Sequence, residues 1–171
     1  MAVVVLPALL VLAVLTGWVR QERALPGAAK ELRLAVDQAA ALMSCLQGVQ
    51  DEVFVPGIGE LTTEVAVAAA RDRLSSCDTR SVEAQVAQVD VPPAAALSAG
   101  RQREARRVVA GAVASLQRLV LEAEGTGRAM AADLGGKRAG ELVALGYRAT
   151  EADYERANVL LVRAEALLSS S

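Results

Sequence analysis

The chain has 171 residues and a mass of 17.8 kDa, with 18 basic against 20 acidic side chains, no histidine and 53% apolar residues. A net charge of -2 argues against a dedicated nucleic-acid binder, whose affinity rests on a basic surface. The missing histidine excludes Ser-His-Asp and Cys-His catalysis together with the usual zinc sites and histidine haem ligation.

The length suits one domain, and a mean hydropathy of +0.33 predicts an extended apolar segment. Trp18, Phe54, Tyr147 and Tyr154 are the only aromatic residues, while alanine abounds. Sheets rely on aromatic and β-branched pairs and alanine is the strongest helix former, so the composition predicts an all-α fold.

In chain order, residues 1–19 carry no charge and end with Trp18, followed by Arg20 and Arg23. As a helix this stretch rises about 28 Å, close to the hydrocarbon thickness of a bilayer, and tryptophan favours the interface. Leucine, valine and alanine cover every face, which predicts a transmembrane anchor or an uncleaved signal sequence over residues 1–23. The apolar stretch exceeds an ordinary signal-peptide core, and no basic residue precedes it.

Two rules conflict over orientation. Arg20, Arg23, Lys30 and Arg33 all follow the span, which by the positive-inside rule retains the domain in the cytoplasm. Cys45 and Cys77, an even pair, make sense as a disulfide on the other side. A translation start further upstream would supply a basic leader and remove the conflict, and the expectation is an extracytoplasmic domain.

Residues 24–171 read as an antiparallel, alanine-rich bundle of about four helices. Leu25-Pro26-Gly27 is expected to interrupt the helix, and residues 28–53 form the next one with Leu34, Ala41, Leu42, Cys45 and Val49 on its apolar face. Phe54 to Gly59 turns the chain. Residues 60–77 make a shorter helix with Ala66, Val67, Ala70, Leu74 and Cys77 on one side, and Asp78-Thr79 caps a brief helix over residues 81–89. Asp90-Val91-Pro92-Pro93 then ends it.

From Ala105, the residues Val109, Ala112, Leu116, Leu119 and Ala123 recur at alternating spacings of a heptad seam. Beyond Gly125-Thr126-Gly127 and Gly135-Gly136, a second seam runs Tyr147, Thr150, Tyr154, Ala157, Leu161, Ala164 and Leu168. Two such helices joined by a glycine-interrupted connection pack antiparallel.

Arg103, Arg106 and Arg107 share a helical face near Arg101 and Glu104. With Trp18 and Arg20 they are the candidate membrane-surface residues, set against the plainer reading of a solvated face. Tyr147 and Tyr154, one heptad apart, could line a ligand pocket or pack on the core with hydroxyls at the bundle edge. Glu151, Asp153 and Glu155 cannot converge on a helix, and surface pairing with Arg148 and Arg156 explains them better than acid–base work. Gly135-Gly136-Lys137-Arg138 lacks the first glycine and the hydroxyl of a phosphate loop and reads as a helix connection.

No catalytic, cofactor or metal residues are expected. Cys45 and Cys77 are the disulfide candidate, although two straight helices hinged at residues 54–59 would leave them at unequal depths, about 12 Å and about 25 Å below the turn. The reading that follows is a membrane-anchored, extracytoplasmic structural or interaction protein, not an enzyme, whose partners are the membrane and another envelope protein or a second copy, with no nucleic acid. The alternative is a small-molecule-sensing or ligand-carrying bundle with a pocket near the two tyrosines.

Overall fold

The computed structural model describes residues 5–55, 59–60, 63–97, 99–133 and 136–169, of which residues 5–23, 55 and 60 are described as backbone alone. It is helical almost throughout. A single helix, α1, runs Val5–Val53 and contains Pro26, so the expected break at Leu25-Pro26-Gly27 does not occur. The reason is burial: Leu25, Ala28, Ala29 and Leu32 carry one apolar face across the site, while Pro26 and Gly27 fall on the exposed side. Covering those four side chains offsets the cost of a proline inside a helix.

The buried face of α1 continues through Ala35, Val36, Ala39, Leu42, Met43, Leu46 and Val49 to Val53. Leu34, expected on that face, is 44% exposed, and Ala41 is exposed as well. At Val53 the helix gives way to a minimal antiparallel ribbon, β1 (Phe54–Val55) against β2 (Gly59–Glu60), with Phe54 opposite Glu60. Gly59 sits at φ +89°, a conformation that favours glycine.

Two short helices follow. Helix α2 spans Glu64–Ser76, with Thr63 as its cap, and α3 spans Thr79–Ala87, capped by Asp78, whose carboxylate accepts from the Ser81 N–H at 3.1 Å. Both pack on α1 and α4. Placed end to end along α1, they make one side of a four-helix bundle as a helix broken at Cys77-Asp78.

The chain then passes through Pro92 and Pro93 and a single 3-10 turn, Ala94–Ala96, into α4 (Gly100–Ala132). Gly125-Thr126-Gly127, expected in the connection, lies inside α4, because Ala123, Thr126 and Met130 carry the buried face across it. The connection proper is residues 133–138. There Gly136 adopts φ +63°, and a Cβ would lie 3.1 Å from the Val67 side chain.

The last helix, α5, spans Ala139–Ser169 and runs antiparallel to α4 in the most extensive contact of the fold. Both expected seams are observed in the main core: Val109, Ala112, Leu116, Leu119 and Ala123 from α4 meet Ala157, Leu161 and Ala164 from α5. The order around the bundle is α1, α2 with α3, α4, α5, each element antiparallel to its neighbours. Smaller clusters close the two ends: Leu25, Leu97 and Ala105 at one, and Val49, Val53, Val67, Met130 and Val143 at the other.

The span expected to cross a membrane, residues 1–19 with Trp18 and Arg20, falls outside the residues whose side chains are described. Among the described residues no helix is long and apolar enough to cross a membrane.

Candidate functional site

Cys45 and Cys77 are bonded, with Cα atoms 5.7 Å apart. The unequal depths expected for two straight helices are resolved by an asymmetric turn. Helix α2 begins only at Glu64, and its first turns overshoot the end of α1, so that Val67 and Ala70 lie against Val49 and Val53. Arg73 lies over Gly48 and pairs with Glu52 at 3.0 Å, which brings the end of α2 at Cys77 level with Cys45. The bond thus clamps α1 to the break between α2 and α3, where the α2 helix ends and the chain has no regular structure of its own.

A trough on the neighbouring face lies between α3 and α4. It encloses about 400 Å³ and is lined by Glu83, Val86, Ala87, Gln117, Val120, Leu121 and Glu124. Val86 and Val120 are buried and form its floor, whereas Leu121 is 60% exposed at its lip. A large apolar side chain held that far into solvent beside an apolar floor is the kind of surface that a partner covers. Glu83 and Glu124 give the trough an acidic rim; Glu124 also pairs with Arg128 on its own helix at 3.4 Å.

The tyrosines lie elsewhere. Tyr147 and Tyr154 are half-buried on α5 and packed against the main core, and the Tyr147 hydroxyl donates to Glu151 at 3.3 Å. Burial, followed by the Glu151 charge, raises the Tyr147 phenol above its ordinary value.

The arginines of α4 are only partly brought together. Arg106 is half-buried, and its Nε donates to the Pro92 carbonyl at 2.7 Å, while Arg103 reaches the Leu97 carbonyl at 3.4 Å. Arg107 pairs with Glu104 at 2.9 Å, and the other oxygen of Glu104 accepts from Arg163 of α5, also at 2.9 Å. Sequence spacing places Arg103, Arg106 and Arg107 on one face but gives no sign that two of them bind the carbonyls of the preceding loop.

Asp153, expected to pair with Arg148 or Arg156, is instead held by Arg118 across the α4–α5 interface at 2.9 Å, and Arg118 also donates to the buried Ser115 hydroxyl. At the far end Arg71 donates to the carbonyls of Met130 and Asp133, closing the C-terminus of α4. Asp133 accepts from the Arg138 N–H at 3.0 Å in turn, which ties the end of α4 to the start of α5. Arg138 donates to Glu141 at 2.9 Å, a bond that lowers the Glu141 carboxyl and raises the guanidinium. Among the described residues no group of three metal-ligating side chains converges.

No protein-family model, curated protein or solved structure matches the chain.

Proposed function

We propose that this protein is a membrane-anchored helical bundle that presents an interaction surface outside the cytoplasm. The anchor is the uncharged span of residues 1–19, whose helical backbone continues into the bundle as α1 from Val5 onward. The observation that carries the interaction reading is the α3–α4 trough, with Leu121 exposed above the floor of Val86 and Val120. Its acidic rim suits a partner helix whose apolar stripe is flanked by basic side chains. The disulfide supports the extracytoplasmic placement, since such bonds persist in oxidising compartments. The ligand-carrying alternative is weakened by the tyrosines, whose rings serve the core and one of whose hydroxyls is engaged by Glu151.

A photo-crosslinking side chain at Gln117 tests the interaction. A discrete adduct in the native cells, abolished by Leu121→Lys and by Glu83→Lys in folded protein, is the expected result. An adduct pattern unchanged by both variants contradicts the reading.

A further inference from the structure

We propose that the end of the bundle where Leu25, Leu97 and Ala105 meet is a docking face for an anionic lipid surface, formed by Arg101, Arg103, Arg106 and Arg107 on the first two turns of α4. The inference rests on the anchor reading of residues 1–19 and assigns the face that the bundle turns to the bilayer.

Geometry carries it. Leu25 of α1 packs with Ala105 of α4 at this end, and Val49 and Val53 lie with Met130 at the other, so the two helices run parallel. Arg101 precedes Ala105 by four residues, about 6 Å along the axis, which sets it beside residue 21 of α1 and about 5 Å beyond Trp18. The headgroup layer on each side of a bilayer is about 5–7 Å thick. With Trp18 at the interface, the start of α4 therefore meets the headgroups, and the long arginine stems extend that reach.

Charge supports the same face. Arg101, Arg103 and Arg107 are exposed, and the hydrogen bond to the Pro92 carbonyl leaves the guanidinium charge of Arg106 in place. Glu104 is the one carboxylate within this arginine run, and it is shared between Arg107 and Arg163. Arg33 and Glu165 nearby neutralise each other. Asp90, on the loop that Arg106 binds, and Glu22, one residue from the level of Arg101, add acids at this end, against the further basic residues Arg20 and Arg23. At the opposite end two of the basic groups are paired with acids: Arg73 with Glu52 and Arg138 with Glu141.

The test uses the full chain in nanodiscs of phosphatidylcholine alone, or with about 30% phosphatidylglycerol, and follows hydrogen exchange of the segment around residues 99–107. The expected result is exchange slowed about threefold or more by the anionic lipid, restored by about 0.5 M salt and by Arg101→Gln/Arg103→Gln/Arg107→Gln, a variant that spares the Arg106 bond to Pro92. Exchange at residues 133–141 serves as the internal control and is expected to stay unchanged. Equal exchange in both bilayers, equal slowing at the control segment, protection that survives the triple substitution, or the same protection from inorganic phosphate with phosphatidylcholine alone would overturn the proposal. Insertion with equal exchange contradicts this proposal alone, whereas failure to insert into either bilayer contradicts the anchor reading and this proposal with it.

Discussion

Gly146 of α5 faces Thr126 of α4 so closely that a Cβ at position 146 would lie 1.8 Å from the Thr126 hydroxyl and 2.8 Å from its Cβ. Rotating the threonine relieves the first contact and not the second, so the helices must move apart. Gly146→Ala is expected to destabilise the fold by about 1–3 kcal/mol in denaturant unfolding, the range for an overpacked core. Thr126→Gly in the same chain should recover most of the loss; a double variant no more stable than Gly146→Ala would show that the close approach is not the cause.

Asp78 and Tyr147 bear on opposite limbs of the pH profile, and Glu141, whose carboxyl Arg138 lowers, adds to the acid one. Hydrogen bonds from the Ser81 hydroxyl, and then from its N–H, hold the Asp78 carboxyl below the ordinary aspartate range. A depressed folded value contributes stability that is present above about pH 4 and lost as the pH falls through the folded value. Asp78→Asn keeps the cap and should flatten the acid limb. The Tyr147 phenol is raised, so its contribution is present below about pH 10 and lost as the pH rises through the folded value, and Tyr147→Phe should flatten the alkaline limb. Thermal melts across pH check both.

At the scale of elements, α1 shows how a rule about one residue yields to a face. Pro26 predicts an interruption, and the four buried residues around it override that signal because the proline itself points to solvent. Pro26→Ala restores the missing hydrogen bond and is expected to stabilise the helix by up to about 3 kcal/mol, read as slower amide exchange around residues 24–30; unchanged exchange would mean that the proline is not the weak point of α1. The same override explains Gly125 and Gly127 within α4.

The heptad seams of α4 and α5 were legible because large and small side chains alternate there with a fixed period, and the structure buries them. The Asp78 cap was legible for the same local reason. The α3–α4 trough was not: its lining comes from two helices whose relative placement depends on where α2 starts and stops, and the pairing of Cys45 with Cys77 calls for an offset without choosing between an asymmetric loop, an early end at Leu74-Ser75-Ser76 and a chain that doubles back. The disulfide depends on that same offset. Closing a loop across a separation of 32 residues contributes about 3–4 kcal/mol in the chain-entropy model, so Cys45→Ala/Cys77→Ala should lose roughly that amount on unfolding. A loss below about 1 kcal/mol would show that the bundle already fixes these helices without the bond.

For the whole molecule, the bundle has two unlike ends. Helix α1 joins the uncharged N-terminal span at the end that carries Arg101, Arg103, Arg106 and Arg107, while bonds among Asp133, Arg138 and Glu141 close the other end. A partner that reads the α3–α4 trough would meet the side of the bundle, between those ends, next to the disulfide-clamped break. Under the proposed function, membrane contact and partner contact fall on different faces of one bundle.

Attachment of the bundle to the membrane and its exposure outside the cytoplasm are both read by thiol labelling of carbonate-washed membranes from intact cells that were treated with a membrane-impermeant alkylating reagent before lysis. The chain is expected to stay in the washed membranes, to resist labelling as isolated, and to take up label at Cys45 and Cys77 once an impermeant reductant is added to the intact cells. Release of the chain by carbonate, or two thiols that react only after lysis and without reductant, would contradict that expectation.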